Sequence, residues 1–222
     1  MKKIAVIGTG LSALSLAHHL PNLDITFFEK SWRPGGRIST RRHQDYAFDH
    51  GAHYIKEDHG VIGLNEYLEK IEATKILNGT FCSNIQNQSP IEERRIIVGQ
   101  KGIESIPLEF HKKLKYPTKF STHIKKIESY NQEYFLLTDN KKFGPYDFVF
   151  TCIPFEQSKN LLESFIDYEN IPTPNFDSIW TVMLAFDKRL GSPFQFGYHL
   201  NKEISFLMNQ NFKHEFFNEE CW

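Results

Sequence analysis

The chain has 222 residues, 40% hydrophobic and 24% charged, with a mean hydropathy of −0.44, a balance that fits a folded globular chain and excludes a disordered or membrane-embedded one. Lys and Arg number 26 against 27 Asp and Glu, a net charge of −1, so there is no overall positive field to attract nucleic acid or anionic lipid, and neither nucleic acid nor membrane is an expected partner. Cys82, Cys152 and Cys221 are far apart, odd in number and free of any C-x-x-C spacing, which argues against a disulfide framework or a zinc site and favours a cytoplasmic setting.

Met1-Lys2-Lys3 and the apolar run from Ile4 to Ala17 resemble the charged start and apolar core of a secretory signal. The same residues read better as strand, turn and helix. Ile4-Ala5-Val6-Ile7 is a short β-branched run suited to a strand buried on both faces of a parallel sheet. Gly8-Thr9-Gly10-Leu11-Ser12-Ala13 follows as G-x-G-x-x-A: Gly8 permits the tight turn, Gly10 lets a phosphate reach the backbone, and Ala13 lets a helix sit close to the strand. Leu11, Leu14, Ala17 and Leu20 have helical spacing, and Pro21 ends the helix. A helix N-terminus carries free N–H groups and partial positive charge, so a pyrophosphate is stabilised there.

Asp24-Ile25-Thr26-Phe27-Phe28-Glu29 reads as the second strand, with Glu29 placed 21 residues after Gly8 to accept hydrogen bonds from an adenosine ribose. Up to this point NAD and FAD fit equally. Gly35-Gly36-Arg37 shifts the reading to FAD, because two adjacent glycines expose N–H groups to a phosphate that Arg37 can neutralise.

From 56 to 115 a helix-like stretch over Leu64 to Ile71 is followed by turn pairs at Asn78-Gly79 and Ser89-Pro90, an expected excursion into a substrate domain. From Phe120 to Phe150 alternating segments read as a meander returning to the cofactor domain. Beyond Phe155 the chain is expected to revisit the substrate domain, with Trp180, Val182, Leu184 and Phe186 alternating as a strand with one buried face. The expected fold is α/β: a Rossmann-like FAD-binding domain of the glutathione-reductase type (1–55 and 116–154) interleaved with a substrate domain on a mixed sheet (56–115 and 155–222).

The segments Gly35 to Arg42 and Phe48-Asp49-His50-Gly51-Ala52-His53-Tyr54 resemble the flavin-binding motifs of the amine oxidase superfamily, closest to its renalase-like branch. Val98 to Ile103, Phe148 to Pro154 and Trp180 to Asp187 resemble later family segments more loosely. The resemblance implies that Gly8, Gly10, Leu11, Ser12 and Ala13 face the pyrophosphate and that Glu29 and Lys30 contact the adenosine. It implies that Gly35, Gly36 and Arg37 lie along the phosphates and ribityl chain, that Gly51 and Ala52 approach the isoalloxazine, and that a backbone group near Ile124 meets the adenine. His53 departs from the family's frequent Gln, and the family's late Gly-Asp segment has no counterpart before Trp222, so the chain is expected to be a truncated member.

His50, His53 and His59 with Asp49 and Asp58 are ordinary metal-ligand types, but their spacing matches no zinc motif and no metal is expected. Cys152 is expected to be inert on a buried strand, and no Ser or Cys lies in a nucleophile elbow. The resemblance implies an FAD-dependent oxidoreductase whose flavin accepts hydride from a reduced nicotinamide or an amine, with oxygen as acceptor and no catalytic side chain named. A non-catalytic flavoprotein remnant and an NAD-dependent dehydrogenase stay open as alternatives.

Overall fold

The computed structural model describes residues 1–56, 64–87, 89–214 and 220–222. The chain opens with β1 (Lys3–Ile7), α1 (Leu11–His18), β2 (Asp24–Phe28), β3 (Ile38–His43), β4 (Tyr46–Gly51) and β5 (Ile55–Lys56). Then come α2 (Leu64–Lys70), β6 (Thr74–Cys82), β7 (Ile91–Gly99), α3 (Ser105–Leu114) and β8 (Thr118–Lys119). A run of short strands follows: β9 (Lys126–Tyr130), β10 (Glu133–Leu137), β11 (Lys142–Tyr146) and β12 (Phe148–Thr151). The last elements are α4 (Phe155–Leu162), β13 (Ala185–Phe186), β14 (Phe196–Tyr198), β15 (Phe206–Met208) and β16 (Glu220–Cys221).

Two compact units emerge, Met1–Gly36 with Phe110–Ile179, and Arg37–Glu109 with Trp180–Trp222. The fold is α/β. In the first unit β1 lies at the middle of a sheet ordered β12-β1-β2-β8, in which β1 pairs in parallel with β12 and β2, and β2 in parallel with β8. A central parallel strand has no solvent face, which explains why Ile4, Ala5, Val6 and Ile7 are all buried without alternation. Strand, α1 and strand thus form a βαβ unit, and Ala13, Leu14 and Ala17 form the buried stripe of the helix. The antiparallel meander β9-β10-β11 contributes Ile127 and Leu136 to a core shared with Ala5, Ile7, Phe28, Ile124 and Leu161. Phe28 is fully buried there with the rings of Phe143 and Tyr146 at 5.2 and 5.9 Å, edge to face, the arrangement that ring quadrupoles favour.

The second unit is built on a mixed sheet ordered β15-β14-β6-β7-β5. Its spine is the β6–β7 hairpin, paired from Thr74 opposite Gly99 to Cys82 opposite Ile91. Phe81, Ile96, Val98, Phe196 and Met208 form its core. A separate hairpin, β3–β4, runs in unbroken register from Ile38 opposite Gly51 to His43 opposite Tyr46.

Two expectations are corrected. Asn78-Gly79 is no turn but the middle of β6, opposite Arg95 and Arg94; a Cβ at Gly79 would lie 2.5 Å from the Phe212 ring, so this glycine serves close packing. Trp180 to Leu184 do not form a half-buried strand. Only Ala185–Phe186 pair, with β16, and Leu184 adds a mutual backbone pair with Trp222, while Trp180 and Val182 are 94% and 71% exposed. The alternation is genuine, but a strand forms only where a partner backbone meets it. The two compact units divide after Gly36, Glu109 and Ile179. Within the second unit Asp49 is bonded to Ile103, and within the first Leu161 packs in the core. No helix among the described residues is long and apolar enough to cross a membrane.

Candidate functional site

At the C-terminal end of β1 the backbone turns sharply through Gly8, whose φ is +101°. A Cβ there would lie 2.8 Å from the Cys152 carbonyl at the end of β12, so both the dihedral and the packing require glycine. Gly10 is different. It caps α1 with φ −73° and ψ 175°, ordinary extended values open to any residue, and among the described residues a Cβ on it would meet nothing closer than the Gly35 carbonyl at 4.0 Å. Neither backbone nor packing needs a glycine at position 10, and the space that a side chain would occupy lies at the start of the helix. Gly36 faces it, a Cβ there lying 3.9 Å from the Gly10 Cα. Among the described residues no side chain caps α1, and its first turn holds no acid, which leaves the leading N–H groups and the positive end of the helix dipole uncompensated there.

Glu29 follows β2 directly and is only 6% exposed. Its Oε2 accepts from the Thr9 N–H at 3.0 Å and the Thr9 hydroxyl at 2.7 Å, and its Oε1 accepts from the Ser31 N–H at 2.8 Å. The Glu29 N–H donates to Lys119, and its carbonyl accepts from the Thr122 N–H at 2.8 Å. Thr9 also accepts at its carbonyl from the Gly35 N–H at 3.2 Å, which ties the second glycine pair to the first turn. Fold and hydrogen bonding thus bring Gly8, Gly10, Leu11, Ser12, Ala13, Glu29, Lys30, Gly35 and Gly36 together at one end of the parallel sheet. Ser12 and Gly36 are exposed, and Lys30 is exposed with its ammonium donating to Gln157 at 3.2 Å. Ile124 lies in the link between β8 and β9 rather than on a strand, its side chain in the core and two residues past the Thr122 contact with Glu29.

Arg37, Gly51 and Ala52 belong to the second unit, where the β3–β4 register brings them together. The Ala52 N–H donates to the Arg37 carbonyl at 3.2 Å, and that same carbonyl leaves no room for a Cβ on Gly51. Arg37 itself is exposed.

Asp49, two residues before Gly51, anchors a buried polar cluster within this unit. Its Oδ1 accepts from the Thr40 hydroxyl at 2.6 Å and the Ile103 N–H at 2.9 Å. Its Oδ2 pairs with the Lys213 ammonium at 2.8 Å, both side chains being almost wholly buried, and lies 3.5 Å from His214 Nε2. The Asp49 N–H donates to Gln210 at 3.1 Å. Burial alone would raise the Asp49 carboxyl, but His214, Lys213 and Thr40 outweigh it and hold it well below the usual carboxylate range. Burial pushes the Lys213 ammonium down, with Asp49 opposing. His53 has a buried Nδ1 with no hydrogen-bond partner among the described residues, and burial first, then the Lys213 charge, lowers its pKa to about 4. Asp58 and His59, of the suspected ligand group, lie outside the described residues. Cys152 comes just after β12, half-buried, its thiol pushed up by burial.

Sequence reading missed Thr9, Ser31, Gln210, Lys213 and His214. Thr9 and Ser31 flank motif positions, and a hydroxyl next to the turn glycine was an available signal. Nothing local signals Lys213, which lies 164 positions from its partner.

Residues 6–67 match the family of NAD(P)-binding Rossmann-like domains. One stretch of 54 residues is 44% identical to coproporphyrinogen III oxidase of Staphylococcus aureus, and the match spans 22% of this chain and only 12% of that enzyme. Among solved structures, a protein assigned as a protoporphyrinogen oxidase from Exiguobacterium sp. 255-15 superposes with TM-score 0.70 at 12% identity, over 99% of this chain and 76% of that one. An oxidoreductase of Methanosarcina mazei gives 0.69 at 13%, over 99% and 78%. Putrescine oxidase bound to putrescine gives 0.67 at 10%, over 99% and 74%. At such identities the likeness is one of fold: a Rossmann-like dinucleotide-binding domain on the architecture found in these oxidases.

Proposed function

We propose that the chain binds FAD and is an oxidoreductase of the amine oxidase and protoporphyrinogen oxidase type. The observation that carries the reading is Gly10. A glycine that neither its own dihedrals nor its neighbours demand, at the uncapped start of α1 and facing Gly36, leaves a gap for a group from outside the chain. A pyrophosphate meets both features, the room and the free N–H groups. The fit extends to the buried Glu29 carboxylate, an acceptor for ribose hydroxyls, with Gly8, Leu11, Ser12, Ala13, Lys30 and Gly35 supporting the same end of the sheet. The roles that the family resemblance implies for Arg37, Gly51, Ala52 and Ile124 belong to the same proposal, as does the renalase-like assignment.

Bound FAD would supply two-electron chemistry, taking hydride equivalents from a reduced nicotinamide or an amine, with oxygen restoring it. The chain's own part is to hold the pyrophosphate at the start of α1 and the ribose at Glu29. The match to NAD(P)-binding domains keeps a nicotinamide dinucleotide as the second reading of the same cradle.

The test is reconstitution of the full chain with FAD. Absorption bands near about 370 and 450 nm that stay with the protein through gel filtration are expected. Gly10→Val should abolish them while leaving the melting temperature within a few degrees, since the backbone already suits any residue. A wild-type chain that retains no flavin refutes the reading, and retention of NAD instead moves it to the dehydrogenase.

A further inference from the structure

We propose that Thr9 positions Glu29 so that a single carboxylate oxygen, Oε1, meets the adenosine ribose. The inference rests on the dinucleotide reading above and assigns a role to the one variable position inside G-x-G. A carboxylate has about four acceptor sites, two on each oxygen. Thr9 fills both sites of Oε2 with its N–H at 3.0 Å and its hydroxyl at 2.7 Å. Ser31 fills one site of Oε1 with its N–H at 2.8 Å. Among the described residues one acceptor site is left unfilled, and it is on Oε1.

Among the described residues that hydroxyl donates to Glu29 alone. The residue is fully buried, so no water competes, and the hydroxyl has only one proton to give. The β-branched side chain has few rotamers, which holds the donor in place. Because the Thr9 carbonyl also accepts from the Gly35 N–H, the first glycine turn, the carboxylate and the second glycine pair are tied through one residue. The ligand class follows: a dinucleotide whose adenosine ribose presents a free hydroxyl as donor to Oε1. A ribose phosphorylated at that hydroxyl brings no proton and sets an anion against a buried carboxylate.

Thr9→Val keeps the size and branching and removes only the hydroxyl donor, whereas Thr9→Ser keeps the donor. FAD and FMN are titrated into each flavin-free full-length protein, FMN serving as the probe that has flavin but no adenosine. The expected result is a loss of about ten-fold or more in FAD affinity for Thr9→Val, as for a charge-assisted hydrogen bond, with FMN affinity unchanged. Thr9→Ser should keep the wild-type preference for FAD over FMN. Thr9→Val binding FAD as tightly as wild type, or losing FAD and FMN in equal proportion, overturns the proposal. If Thr9→Val does not fold, the serine variant decides: loss of the FAD preference there is equally fatal, and its retention supports the proposal. A wild-type chain that takes neither flavin is a different outcome, visible before any substitution, and removes the dinucleotide reading and this inference together.

Discussion

Replacing Lys213 by Met tests how the second unit is held together. The substitution preserves most of the side-chain volume and removes one charge from a pair that is almost fully buried. Asp49 would keep the Thr40 hydroxyl and the Ile103 N–H on Oδ1, but among the described residues Oδ2 would retain only His214 at 3.5 Å. Removing one partner of a buried pair costs about 3–5 kcal/mol, mostly as the desolvated charge left behind. The double variant Asp49→Asn with Lys213→Met removes both charges while the amide oxygen can still accept from Thr40 and Ile103. It should be less destabilised than Lys213→Met alone, a coupling of about 2 kcal/mol or more. Urea unfolding at pH 7 reads this through Trp222, which lies in the second unit with its indole N–H on Glu220 at 2.7 Å. Trp32 and Trp180, 74% and 94% exposed, change their surroundings less on unfolding. A Lys213→Met variant within about 1 kcal/mol of wild type, or a double variant as unstable as the single, refutes the reasoning.

Two further outcomes follow from the same cluster. His53 has a folded pKa lowered to about 4, so the unfolded chain binds the extra proton first, and stability falls as pH drops from about 6.5 towards 4. His53→Gln should flatten the stability-against-pH curve in that window, measured by thermal melts; an unchanged slope would show that His53 is not its source. Gly102 has φ +115°, and a Cβ on it would lie 2.6 Å from the Thr40 hydroxyl that serves Asp49. Gly102→Ala should therefore cost about 1–3 kcal/mol from the dihedral alone, and a melting temperature equal to wild type would contradict this.

Much of the first unit was legible because its instructions are local. An unbroken apolar run reads as a strand buried on both faces, and β1 has that burial; G-x-G-x-x-A reads as turn and helix start, and α1 begins at Leu11. Local signals misled where tertiary contacts took over. Asn78-Gly79 has turn composition, yet pairing with β7 and the Phe212 ring placed it inside a strand. Trp180 to Leu184 have strand alternation, yet hydrogen-bonded pairing begins only at Leu184.

The sequence by itself determined the βαβ unit, its glycine turn and the acidic strand end, because each is encoded in neighbouring residues whose spacing matches a backbone period. Only the tertiary structure decided that Gly10 is dispensable to the protein itself, that Glu29 is held on three sides by Thr9 and Ser31, and that Asp49 is matched by Lys213. Those facts depend on free space and on hydrogen-bond partners brought together by folding. Free space leaves no mark on a sequence, and partners 164 positions apart share no local pattern.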